Sequence, residues 1–125
     1  MRILLDTHLY LWWLQDHPHL SQAARARIMA ATDVYVSSAS IWEAAIKAGI
    51  GKLDADIDQL VAEIDHSGFR ELPVSARHAA MVTRLPDLHR DPFDRILVAQ
   101  ALCEPLRLLT PDNGLSGYSE LVELV

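Results

Sequence analysis

The sequence predicts an α/β fold: a central, mainly parallel sheet covered by helices on both faces. Short apolar runs rich in strand formers alternate along the chain with segments of helical periodicity, which is the pattern of a covered parallel sheet. No linker, repeat or low-complexity stretch divides the 125 residues, so residues 1–125 read as one domain. A chain of this length buries about two-thirds of its unfolded surface around a single core.

Taken in order, RILL (Arg2 to Leu5) is a strand that ends at Asp6. A helical pattern follows from Leu9 to Gln15, and another from Ser21 to Ala31. DVYVSS (Asp33 to Ser38) is β-branched and aromatic and reads as the second strand. Helices are then predicted over Ala39 to Ala48, closed by Gly49 and Gly51, and over Asp56 to His66, closed by Gly68. FREL (Phe69 to Leu72) is a weaker strand suited to a sheet edge, followed by a helix from Ser75 to Arg84. The helix Pro92 to Cys103 is stopped by Glu104-Pro105, after which come the strand RLLT (Arg107 to Thr110) and a second edge candidate, LVELV (Leu121 to Val125).

A hydrophobic fraction of 50% with 22% charged residues fits a globular protein, not a disordered one. The single cysteine, Cys103, excludes a disulfide framework and reads as a small core residue. The first residues meet Asp6 and His8 before an apolar stretch long enough for a signal peptide or membrane span, so a cytoplasmic location is expected, with no membrane partner. A net charge of −6 argues against charge-driven adhesion to nucleic acid. It leaves room for an enzyme that meets nucleic acid through metal ions and a few arginines. The tryptophans Trp12, Trp13 and Trp42 fit core packing or a partner-binding surface better than a base-stacking platform. The histidines show no metal-ligand spacing on one helix face and are assigned no catalytic role.

The acids are more informative. In an open parallel sheet the functional cleft lies beyond the carboxyl ends of the strands. Asp6 follows the first strand and Asp112 follows RLLT, which puts both on one rim. Glu43 stands just inside the helix after the second strand. Asp94 stands at the start of the helix that leads back into RLLT, and both helix starts belong to the same rim. Each acid also has a purely structural reading. Glu43 fits the N3 position of a capping box begun by Ser40, and Asp112 fits an Asx turn. Asp91 fits an N-cap before Pro92, and Asp94 fits the first helical turn. Asp6 is hardest to explain that way, because a carboxylate ending a buried strand must find a partner or a cation. Crowded carboxylates repel, and a hard divalent cation relieves them; oxygen ligation favours magnesium or manganese.

Four blocks, LLDTH, VSSASIWEAAIKAGIGKL, HRDPFDRILVAQA and LLTPDNGL, resemble in sequence and order the signature blocks of PIN-domain ribonucleases. They resemble in particular the VapC-type toxins of bacterial type II toxin–antitoxin systems, over Leu4 to about Leu115. The resemblance implies a PIN-like α/β/α sandwich and a magnesium- or manganese-dependent endoribonuclease, with Asp6, Glu43, Asp94 and Asp112 as the catalytic, metal-holding acids. It implies hydrolysis of an RNA phosphodiester by metal-activated water, with no protein nucleophile. Asp94, two residues before ILVAQA, holds the family position, which leaves Asp91 as the helix cap, close enough to tune the site.

Thr7, Ser38, Thr110 and Asn113 fall beside the acids and are candidates to hydrogen-bond them or a bound water. Arg90 and Arg95 are candidates to steer a phosphate. The resemblance also implies an inhibitory antitoxin and a homodimer or toxin–antitoxin hetero-oligomer, for which apolar surface near Trp12 and Trp13 is suited. Two rivals are weighed. A phosphotransfer enzyme of the haloacid dehalogenase type needs a second acid two positions after Asp6, where His8 stands. A catalytically inactive PIN-like binding module is disfavoured by the presence of all four acids.

Overall fold

The computed structural model describes residues 1–125. Five strands, β1 (Arg2–Leu5), β2 (Asp33–Ser37), β3 (Arg70–Leu72), β4 (Arg107–Thr110) and β5 (Val122–Leu124), form one sheet in the order β3-β2-β1-β4-β5. Every neighbouring pair is parallel. The FREL and LVELV runs occupy the two edges, and RILL is the central strand. Six helices complete the fold: α1 (Thr7–Gln15), α2 (Gln22–Ala30), α3 (Ser38–Gly49), α4 (Ile57–His66), α5 (Ala76–Met81) and α6 (Pro92–Cys103). None is long and apolar enough to cross a membrane.

Alternation along the strands feeds two cores. Ile3, Leu5, Val34, Val36 and Leu109 pack with Leu9 and Tyr10 of α1, Ala24 and Ile28 of α2, and Ile64 of α4. On the opposite face Leu4 and Leu108 pack with Leu97, Val98 and Ala101 of α6 and with Leu115. The sheet is therefore buried on both sides, as its near-continuous apolar strands require.

Several boundaries differ from the sequence reading for identifiable reasons. The first helix begins at Thr7, not Leu9, because Asp6 itself caps it: Asp6 Oδ1 accepts the His8 N–H at 2.8 Å. The second strand stops at Ser37, not Ser38, since Ser37 Oγ accepts the Ala39 N–H and caps α3. The segment to Arg84 is α-helical only to Met81 and closes with a 3-10 turn over Val82–Arg84. Ser21 and Asp56 act as caps outside their helices. The helix Pro92–Cys103 has the predicted bounds, with Asp91 Oδ1 accepting from Phe93 N at 2.8 Å and Asp94 N at 3.3 Å.

The topology fixes where a site can form. From β1 the chain moves to β2 and β3 on one side, and later places β4 and β5 on the other. The carboxyl ends of β1 and β4 thus flank the point where strand order reverses, the preferred place for a cleft in such sheets.

Candidate metal centre

Asp6 lies at that reversal point and is 2% exposed. Its two oxygens are divided between elements: Oδ1 caps α1, while Oδ2 accepts the Thr110 hydroxyl of β4 at 3.0 Å. Thr110 Oγ1 in turn accepts the Asp112 N–H at 3.0 Å, so one buried hydroxyl couples the acids that follow β1 and β4. Asp112 Oδ1 accepts the Gly114 N–H at 2.8 Å, which is the Asx turn anticipated from TPDNG, and Oδ2 is left pointing into the rim.

Asp94 projects from the first turn of α6. Its carboxyl is pushed up to about 7, first by burial and then by the charges of Asp91, Asp6 and Glu43, with His89 opposing. Glu43 is buried inside α3, one turn beyond the cap, and Ser40 plays no capping part there. Instead Ser40 Oγ accepts the Thr7 hydroxyl at 2.8 Å, and Glu43 Oε2 pairs with Lys47 Nζ at 2.9 Å. The Glu43 carboxylate, helped by Asp91 and Asp94, raises the Lys47 pKa. Lys47 is the ammonium set among these carboxylates, and sequence reasoning missed it although Glu43 and Lys47 stand four apart on one helix.

The other miss is His89. Its Nε2 lies 3.2 Å from Asp112 Oδ2 and 3.6 Å from Asp94 Oδ2, and ligand-capable atoms of His89, Asp94 and Asp112 all fall within 4.8 Å of one another. His89, assigned no catalytic role from the sequence, is brought by the fold against two of the rim acids. His89 arrives on the loop before α6, so no helical spacing announces it. His8 also leans on the site. Its ring stands 3.4 Å from Asp6 Oδ1, and that hydrogen bond raises its pKa against the opposing effect of burial.

Of the remaining candidates, Thr110 bonds an acid directly. Thr7 is spent on Ser40, and Ser38 Oγ accepts the Val74 N–H at 3.0 Å, tying α3 to the segment after β3. Asn113 is exposed beside the Asp112 turn. Arg95 is turned inward: its guanidinium donates to the carbonyls of Pro86, His89 and Val82 and to the Tyr118 hydroxyl, clamping the loop that carries His89. Arg90 is exposed and borders a cleft of about 650 Å³ walled by Trp42, Val74, Val82, Phe93 and Ile96.

A metal fits this donor set. The rim is dominated by carboxylate oxygens, which suits a hard divalent ion, and its negative charges crowd one another enough to keep Asp94 half-protonated near neutrality. The residues that would hold the ion are Asp94 and Asp112 at the mouth, with Asp6 and Glu43 deeper.

Apolar surface lies elsewhere than expected. Trp12 and Trp13 are half-buried, the first against the rings of His8, His17 and His19 and the second against Phe69. The exposed stripe runs along α3 instead, through Trp42 (63% exposed), Ile46 and Ile50. Trp42 touches Phe93 edge-on with ring centres 5.2 Å apart.

The PIN domain family model matches residues 3–121. Ribonuclease VapC22 of Mycobacterium tuberculosis is 30% identical over 122 residues, covering 93% of this chain and 91% of the relative. Among solved structures, VapBC2 from Rickettsia felis, bound to a DNA fragment from their promoter, superposes with a TM-score of 0.70 at 19% identity, covering 100% of this chain and 98% of that one. FitAcB from Neisseria gonorrhoeae superposes with a TM-score of 0.63 at 22% identity, covering 92% and 90%. These structures share the fold.

Proposed function

The chain belongs to the PIN domain family, and we propose that it acts as a single-domain endoribonuclease, the toxin of a type II toxin–antitoxin pair, cutting RNA phosphodiester bonds with magnesium or manganese. The observation that carries this reading is the convergence of Asp6, Asp94 and Asp112, from both ends of the chain, at the strand-order reversal, where Thr110 links two of them. When bound, the ion supplies Lewis acidity that acidifies water and neutralises charge on phosphoryl oxygens. Asp94 and Asp112 would hold that ion at the mouth, with Asp6, fixed by Thr110 and by the start of α1, and Glu43 completing the set from deeper in the rim. Glu43 adds negative field and is kept from repelling its neighbours by Lys47.

The acidic chain needs no broad basic face, because a bound ion would supply positive charge to the substrate phosphate and Arg90 stands at the margin of the neighbouring cleft. An antitoxin is the expected protein partner, as neighbours of known structure are toxin–antitoxin complexes, and the proposed place of action is the cytoplasm. The exposed stripe of α3 supplies apolar surface for association with antitoxin or with a second copy.

The test is incubation of the purified chain, free of antitoxin, with total cellular RNA and magnesium or manganese. Discrete fragments that vanish with EDTA and in Asp94→Asn are expected. Fragments that persist in both controls, from a preparation free of contaminating nuclease, would refute the assignment.

A further inference from the structure

Both ring nitrogens of His89 are engaged, and this decides what the ring can do. Nδ1 accepts the Asp91 N–H at 3.2 Å. A nitrogen that accepts a hydrogen bond offers no N–H there, so the N–H that the ring presents to the rim is the one on Nε2. That N–H faces Asp112 Oδ2 at 3.2 Å and Asp94 Oδ2 at 3.6 Å. We propose that His89 is a positioning residue of the metal centre, whose Nε2–H clips Asp112 against Asp94, and that it is not a ligand of the ion. This rests on the metal-centre reading above.

The surroundings hold the ring in that state. A metal-binding histidine needs a bare nitrogen toward the ion, and its other ring N–H donates to an acceptor such as a carboxylate or carbonyl. The other nitrogen of His89 instead faces a donor, the Asp91 N–H. Asp91 cannot easily turn away, because its side chain caps α6 through Phe93 N and Asp94 N. The His89 carbonyl is pinned as well, accepting from Arg95 Nη1 at 3.3 Å and from the Tyr118 hydroxyl at 3.4 Å. On the open side a Cβ at Gly114 would stand 3.3 Å from His89 Cδ2 and 3.0 Å from Asp112 Oδ1, so glycine there leaves room for both groups. Ligation through Nε2 would require moving the proton to Nδ1, directly against the Asp91 N–H.

The test uses the full chain in three forms: wild type, His89→Ala, and His89→Gln, which keeps an N–H donor. Long-range proton–nitrogen correlation spectra of the isotope-labelled, metal-free protein, with His89 assigned by difference from His89→Gln, are expected to show the Nε2–H tautomer. Pulsed electron paramagnetic resonance of bound manganese is expected to show the same nitrogen coupling in wild type and His89→Gln. By calorimetry His89→Ala weakens manganese binding about tenfold, the lower end of what such outer groups contribute, and His89→Gln recovers most of it. An Nδ1–H tautomer, a directly coupled nitrogen lost in His89→Gln, or unchanged affinity in His89→Ala each overturns the proposal. Failure of the wild type to bind manganese would instead refute the metal-centre reading, and this proposal with it.

Discussion

Replacing Asp94 by asparagine tests the crowding of the rim apart from the chemistry proposed there. The Asp94 carboxyl rises from an ordinary 3.8 to about 7. A carboxyl raised on folding holds its proton more tightly in the folded state. Its favourable contribution is therefore complete below 3.8 and is lost as pH climbs toward 7. Converted directly, that shift corresponds to about 4 kcal/mol at 1.36 kcal/mol per unit. Asp94 keeps a fifth of its side chain in solvent, so screening reduces the figure to roughly 1–2 kcal/mol.

Asp94→Asn in EDTA should thus be more stable than the wild type at about pH 8, by roughly 3–8 °C in melting temperature for a domain of this size. The advantage should shrink at about pH 5, where the folded wild type is already protonated at this position. Magnesium or manganese should raise the melting temperature of the wild type and leave the variant nearly unmoved. A variant that melts lower than the wild type, or whose advantage is the same at both pH values, would show that Asp94 is not crowded in the way described.

Other substitutions probe the supports of the site. Thr110→Val removes the buried donor to Asp6 and the acceptor for Asp112 N, and should cost about 2 kcal/mol in urea denaturation; no loss would mean the coupling is incidental. Lys47→Met strands a buried carboxylate on Glu43 and should destabilise the metal-free protein by roughly 3 kcal/mol, read by the same assay, with part of the loss restored by magnesium. Asp91→Ala removes the cap of α6 and should cost about 1 kcal/mol, checked by thermal melting. Ile50→Lys on the exposed stripe should leave stability within about 0.5 kcal/mol while reducing association measured by light scattering; undiminished association would place the interface elsewhere.

The sheet and its order of elements were legible because buried parallel strands must be written as apolar runs, and each of these runs is bounded by a strong stop. Helix α6 was read to the residue for the same reason: Asp91-Pro92 starts it and Glu104-Pro105 ends it. Boundaries failed where one residue serves two elements. Asp6 ends β1 and caps α1, and Ser37 ends β2 and caps α3, so propensity alone could not say where strand gives way to helix. The rim of acids followed from topology, because a parallel sheet returns every strand end to one side. The groups that balance those acids did not follow. Lys47 was visible as a helical pair with Glu43, but only burial of Glu43 makes that pair matter. His89 owes its place to Arg95, which folds the preceding loop by binding carbonyls, and no spacing rule encodes a contact of that kind. The stripe of Trp42, Ile46 and Ile50 was present as every fourth residue, yet which face of α3 would stay uncovered depends on the helices packed around it.

The hydrogen bond from Thr110 to Asp6 closes a loop of 104 residues. Translation delivers β1 first, and for most of synthesis that strand can pair only with β2, on whose far side β3 adds. Asp6 then waits at the mouth of a half-built sheet until β4 has left the ribosome and slotted in on its other side. The acids of the rim come together only when β4 joins the sheet, so whatever needs all of them waits for the last part of the chain. Chain order here works as a timer.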